Sequence, residues 1–433
     1  MTQTSSHTID HSQFLKTINW LLLAIMFMMI AAFFTWSENI MITRVIKVIG
    51  RMGMLGASFL VYMKIINYGA VDSLKVQNHL AIGLYLAYLG LGLASFLWTS
   101  DLGVSALQWF MTSQTLIFCF FFIKSLYLLD EYFPGHNIRL YNILGNSILA
   151  IIIIFLVGMW VNPDEFIRYT HGGTEARLGG FIMNPNELGM LAGVGIAGFL
   201  FDVKRNHQKW FTIAKILILF YALFLTGSRS SLIGAVFIIL FYIMLTDNTR
   251  LKLAIFGGML MVLPVLVHTV ILKDGDADRI EEVLSMTGRL PFWQGLINEG
   301  LPREPLLGFG FMRIDYNDHF QSRHSYPGLM THNTFLQVLM NLGFVGLVIV
   351  TFQMVFTFKG IFREEPEKKL MLLSIMIPIM INSFTEFGIF GESNFGILFY
   401  QLIILYIVFK RNPIITPAQR LHLKMKRPDL KIS

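Results

Sequence analysis

A single cysteine, Cys119, stands in 433 residues, and it lies inside an apolar run. That excludes a disulfide framework or a thiolate metal site built from one chain. Charge is also scarce: 14% of the residues are charged, against about 25% in ordinary soluble domains. No internal repeat or low-complexity segment stands out, so a solenoid or a biased linker does not fit. Basic residues are not interleaved with aromatics, and no nucleic-acid module can be recognised, so nucleic acid has no support as a partner. Metal-ligand spacing is missing as well. The Asp-Gly-Asp-Ala-Asp of 274–278 lacks the rest of a twelve-residue calcium loop and reads as a solvated turn.

What the chain does have is apolar length. With 55% hydrophobic residues and a mean hydropathy of +0.60, it could not close one soluble core without exposing large apolar patches. About 20 apolar residues cross a hydrocarbon layer of about 30 Å. Runs of that kind fall near 19–36, 53–67, 80–98, 104–128, 141–160, 187–203, 211–226, 231–246, 253–272, 334–358, 370–390 and 395–409. The expected fold is therefore all-α, a polytopic membrane protein of about 12 transmembrane helices. The first run follows a polar stretch holding only Lys16 and precedes no small-residue cleavage site, so it reads as a retained helix.

Short basic loops stay cytoplasmic. With the N-terminus inside, inner segments collect nineteen Lys and Arg and outer segments twelve. Six of the outer ones lie in one long loop, 273–333, where the rule binds weakly. Arg44, Lys47 and Arg51 are the real conflict, and 41–52 is read as an interfacial helix. Lys64, Lys124 and Lys215 fall near helix ends, where long stems reach the interface by snorkelling. The whole chain, 1–433, is expected to be one membrane domain with two outer elaborations, 161–186 and 273–333, and a basic cytoplasmic tail, 410–433. The larger loop carries nine acidic and six basic residues with glycine-rich turns. It reads as a small folded cap with short helices such as 278–285 and 289–298.

The chemistry gathers on the outer side. Arg177 in EARLGGFIMNPNELG, Arg229 in LTGSRSSLIG, and Arg289 in SMTGRLPFWQG with His332 in THNTF come from three separate outer segments, while the membrane's middle is nearly free of charge. Arg229 sits between two apolar runs with no solvated loop to hold it. A guanidinium there offers planar bidentate donors suited to phosphate oxygens, and Ser230 opens a helix whose free N–H groups favour anions. The plainer reading is a capping turn with an interfacial anchor. Beside Arg177, Gly179 and Gly180 allow close backbone approach, and Asn184-Pro185-Asn186 caps the next helix. A solvated loop arginine is its plainer reading. His332 stands at a helix mouth, with Thr331 or Asn333 as N-cap, where the dipole favours the free base over imidazolium. A capping or water-bonded histidine is its alternative. Glu386, in NSFTEFG near the outer end of its helix, reads as a partner for a site arginine or for sugar hydroxyls, with a structural interhelical bond as the alternative.

Together, GSRSSLIG, the R-x-G-G-F and N-P-N-x-L-G patterns, T-G-R-x-x-x-W, the LGFGF glycines and the His332-Asn333 pair followed by Gly343 of NLGFVG resemble the O-antigen ligase and O-antigen polymerase superfamily. The resemblance covers roughly residues 140–400; the first helices match only in hydropathy. It implies a GT-C-type glycosyltransferase of the bacterial inner membrane, taking a glycan from undecaprenyl diphosphate on the periplasmic side. By resemblance, Arg177 and Arg229 contact the diphosphate and Arg289 orients it. His332 acts as base on the acceptor hydroxyl, and Ser230, Asn184 and Asn333 belong to the substrate-binding set. It further implies inversion at the anomeric centre, no metal and no cofactor.

A repeat-unit polymerase, a ligase to lipid A core and a protein-directed transferase all fit this chemistry. The polymerase is preferred because the outer loop adds no large domain and is net acidic. A glycan or lipid A-core acceptor, membrane lipids and a chain-length-regulating co-polymerase are the partners admitted. A twelve-helix transporter is less favoured, since transporters place ionisable or helix-breaking residues at the midplane, often in matching halves.

Overall fold

Polar side chains set where the helices begin. Asn39 accepts the Met41 and Ile42 amides at the head of α2 (Ile40–Tyr68), and Asp101 accepts the Val104 amide at the head of α4 (Leu102–Tyr132). Each satisfies N–H groups that a first helical turn leaves unpaired. The computed structural model describes residues 11–411, apart from 73, 134–135, 171–172, 174, 204–208, 245–248, 251, 254–255, 387 and the longer stretches 259–288 and 315–329. The other helices are α1 (His11–Ala31), α3 (His79–Ala94), α5 (Leu140–Val161), the short α6 (Pro163–Phe166), α7 (Pro185–Val203), α8 (Lys209–Leu225) and α9 (Arg229–Met244). They continue with α10 (Arg289–Gly295), α11 (Thr334–Arg363), α12 (Pro366–Thr385) and α13 (Phe395–Val408). Strands are confined to two antiparallel pairs: β1 (Leu74–Val76) with β4 (Phe409–Arg411), and β2 (Ile167–Thr170) with β3 (Glu175–Leu178).

Among the described residues, eight helices are long and apolar enough to cross a membrane: α1–α5, α7, α11 and α12; α9 and α13 are shorter apolar helices. The molecule is an all-α polytopic membrane protein. Eleven of the twelve expected runs coincide with helices. Most of the remaining run, 253–272, lies outside the described residues, as does 278–285. The helix expected at 289–298 is present as α10, continued by a wider π turn over Leu296–Gly300.

Packing explains the arrangement. Every residue of α13 is buried, which makes it the pillar around which other helices stand. Its apolar circumference is what a helix surrounded by protein requires. Helix α7 is lined with glycines, and a Cβ at Gly198 would stand 2.9 Å from the Tyr141 carbonyl oxygen. Small residues of this kind let membrane helices approach closely.

One expectation needs correction. Residues 41–52 form no separate interfacial helix. They are the first turns of the continuous 29-residue α2, because Asn39 caps it and nothing breaks it before Gly69. Lys124 is ion-paired to Asp72, which also accepts the Tyr62 hydroxyl, and Lys215 donates to Asn146 at 2.8 Å. Glu386 stands at the end of its helix, as the extended C-cap of α12.

The expected long loop is tied to α11 at a break. Gly343 has φ 62° and ψ −163°, outside helical geometry. The 305–310 segment fills the gap: the Phe344 and Val345 amides donate to the Pro305 and Leu306 carbonyls, and the Phe309 and Gly310 amides to those of Met340 and Asn341. Backbone groups that the break would orphan inside the protein are thereby paired.

Candidate functional site

Helices α7, α9, α11 and α13 begin, and α12 ends, at one end of the bundle. Their first-turn N–H groups make this end favourable to negative charge. The contacts between these ends are polar. Ser230 Oγ donates to Asn382 Oδ1 of α12 at 3.1 Å, and Ser231 Oγ donates to the Asn186 carbonyl at 3.4 Å.

Glu386 is the centre. It is 5% exposed, and its two oxygens serve separate partners. Oε1 is ion-paired to Arg289 and accepts Asn186 Nδ2 at 2.7 Å, while Oε2 meets His332 Nδ1 at 2.8 Å. A buried carboxylate needs such partners, because its desolvation otherwise costs several kcal/mol. Burial pushes the Glu386 pKa up, but the His332 hydrogen bond and the Arg289 charge outweigh it and hold the carboxyl below its ordinary value. Arg289 also donates to the Thr385 carbonyl, and its Nε is buried without a hydrogen-bond partner.

His332 is set by its backbone. Its φ of 50° is left-handed, uncommon for a residue with a side chain. Its neighbours hold that conformation: Thr331 Oγ1 donates to the Asn333 carbonyl and accepts the Asn333 amide, and Trp293 Nε1 of α10 donates to the Thr331 carbonyl at 2.6 Å. Asn333 is the N-cap of α11, accepting the Phe335 and Leu336 amides, and its Nδ2 donates to the Phe384 carbonyl at 3.2 Å. When His332 donates from Nδ1 to Glu386, Nε2 is the basic nitrogen. That is the arrangement by which a carboxylate fixes the tautomer of a general base.

Arg177 joins through a relay. Its Nη2 donates to Asn186 Oδ1 at 2.7 Å, and its Nε to the Thr226 carbonyl at 2.8 Å. Burial lowers the Arg177 pKa, opposed by Glu175 and Glu386, and Arg229 and Arg168 add repulsion. Arg229, the first residue of α9, is therefore within electrostatic reach of Arg177. Asn184 accepts the Asn186 amide at 2.9 Å and so shapes the turn entering α7. His332, Arg289 and Glu386 thus form one bonded cluster, Arg177 is linked to it through Asn186, and Arg229 and Ser230 stand at the adjoining helix start. Among the described residues, no group of three or more His, Cys, Asp or Glu side chains is placed to hold a metal ion.

Sequence reasoning missed several residues at this end. In the sequence Asn186 reads as part of a cap, although it bridges Arg177 and Glu386. Arg51 reads in the sequence only as a topological conflict, yet it is 1% exposed, donates to Ser393 Oγ at 2.7 Å and lies 3.8 Å over the Phe33 ring. Glu392 lines the small pocket that holds His332 and Glu386. Burial raises the pKa of Glu392, opposed by Lys47, a hydrogen bond from Gln108 and the charges of Arg44 and Arg51. The one available signal was the three basic residues on a segment where short loops should be poor in them.

A family model described as O-antigen ligase matches residues 214–351. That segment runs from α8 into α11 and contains Arg229, Arg289 and His332. Over that segment, about a third of the chain, the protein is similar to this family. Arg177, Asn186 and Glu386 lie outside it. No curated protein matches the chain.

Proposed function

We propose that this protein transfers a glycan from undecaprenyl diphosphate to a sugar hydroxyl at the periplasmic face of the bacterial inner membrane. The observation that carries the reading is the bonded cluster of Arg289, Glu386 and His332 with Arg177 relayed to it through Asn186. His332 takes the acceptor hydroxyl's proton at Nε2. The acceptor oxygen attacks the anomeric carbon opposite the phosphate, the bond from that carbon to the diphosphate oxygen breaks, and its electron pair leaves with the diphosphate. Configuration inverts, and Arg177, Arg229 and Arg289 take up the developing charge without a metal.

Repeat-unit polymerisation is the form of this reaction we favour, because loop 273–333 has an acidic excess that suits a phosphorylated lipid A core poorly. The description of the matched family supports ligation as the second reading. Product analysis in cells separates them: a polymerase mutant leaves single repeats on the surface, a ligase mutant leaves finished chains on the lipid carrier. The arginine assignment is tested in membranes carrying the native lipid-linked glycan. Arg229→Ala and Arg177→Ala should lose transfer while the protein stays inserted. Arg229→Lys should rescue poorly, because an ammonium does not replace a bidentate fork. Full activity of all three would remove the arginines from the mechanism.

A further inference from the structure

Beside the His332 and Glu386 cluster lies a second cavity of about 260 Å³. It is smaller than the roughly 300–1,000 Å³ that drug-sized ligands occupy, and suits about one sugar ring. Thr35, Lys47 of α2, Arg168 of β2, Asn184, Glu187 of α7 and Glu392 contribute its polar wall. Glu392 is shared with the small pocket around His332, so the two cavities adjoin. None of Lys47, Arg168, Glu187 or Glu392 has a part in handling the diphosphate above.

The charges in this wall are mixed. Lys47 and Arg168 line it, and Arg44 and Arg51, outside the lining, act electrostatically on Lys47 and Glu392. Against these four cations stand the two carboxylates Glu187 and Glu392. Two observations strengthen the positive side. Arg168 faces Arg177 directly across the β2–β3 hairpin, a like-charge pairing that is unfavourable until an anion offsets it. The almost fully buried Arg51 anchors Ser393 and has a buried Nε with no hydrogen-bond partner.

We propose that this cavity is the acceptor subsite, and that it takes a sugar ring carrying a carboxylate, held by Lys47 and Arg168, with Glu187 and Glu392 accepting its hydroxyls. This rests on the glycan-transfer reading above and adds the class of acceptor to it. A neutral sugar would leave the cationic excess unbalanced. A phosphate dianion would meet two carboxylates in the same wall, and a single carboxylate avoids both penalties. The acceptor cavity then adjoins the diphosphate arginines where Arg168 pairs with Arg177 across the hairpin, and adjoins the His332 pocket at Glu392.

The test uses the full chain in lipid nanodiscs, with ligand binding followed by saturation-transfer NMR. The probes are glucuronic and galacturonic acid, glucose and galactose, glucose 6-phosphate, and geranylgeranyl diphosphate. Wild type should bind at least one uronic acid about tenfold more tightly than its neutral counterpart, the size expected for a charge-assisted hydrogen bond. Lys47→Gln and Arg168→Gln should erase that preference and leave geranylgeranyl diphosphate binding unchanged; Arg168 is solvent-exposed, so its substitution leaves the fold intact. Lys47→Arg should keep the preference. The proposal is overturned if neither uronic acid is preferred, if glucose 6-phosphate binds more tightly than both, or if Lys47→Gln and Arg168→Gln weaken diphosphate binding instead. Wild type that shows the uronic acid preference but does not bind geranylgeranyl diphosphate would contradict the transfer reading and leave the acidic-sugar site standing.

Discussion

Glu386 concentrates the energetics of the site in one side chain. It is the only carboxylate among the described residues that joins both an arginine and a histidine of this end. Removing one partner of a buried ion pair costs about 3–5 kcal/mol, because the other charge is left uncompensated. Glu386→Gln, which strands Arg289, should therefore unfold at a lower temperature than wild type at neutral pH. The sign of the pH dependence follows from the depressed pKa of this carboxyl. Its stabilising contribution is fully present above the ordinary value of 4.5 and is lost as pH falls through the folded-state value below it. The difference in melting temperature between wild type and Glu386→Gln should thus be constant near pH 7 and shrink in acid below about pH 4.5. A difference that grows on acidification would contradict the ion-pair account.

Element by element, the helices were legible because apolar length is a strong signal, whereas the joins between them were not. Hydropathy marks a run of about 20 residues, but it does not reveal that 41–52 and 53–67 form one helix, which depends on the Asn39 cap and on the lack of a breaker before Gly69. It likewise places Glu386 inside a run that ends one residue earlier. At the site, the arginines and His332 were legible because charge and imidazole at the edge of apolar runs are costly and therefore conspicuous. Asn186, Glu187 and Glu392 were not, since their partners are 200 residues away for Asn186, and elsewhere in space for the glutamates. The break in α11 makes its own prediction. A Cβ at Gly343 would stand 2.3 Å from the Leu306 carbonyl group, on a backbone with φ 62°. Gly343→Ala should then cost about 1–3 kcal/mol from the backbone conformation alone and more from the collision. The expected result is a melting temperature several degrees below wild type. An unchanged value would mean that the 305–310 segment does not hold the break as described.

For the molecule as a whole, the claim is that one end of the bundle faces the periplasm and carries the reaction. Asn162, in the connection leading to the β2–β3 hairpin, should react with an impermeant thiol reagent from outside when replaced by cysteine. Glu365, before α12 at the opposite end, should be protected until the membrane is opened. The reverse pattern would place the site on the wrong side for a lipid-linked glycan. The most direct measurement is transfer by His332→Asn, in membranes carrying the native lipid-linked glycan, with donor retention measured in the same sample. A missing general base costs roughly 10²–10⁴-fold, while loss of a capping contact costs only about 1 kcal/mol of stability. The variant should insert, retain the donor through its arginines, and transfer less than about one hundredth as fast as wild type. Retention of more than about a tenth of wild-type transfer would contradict the role of His332 as the base.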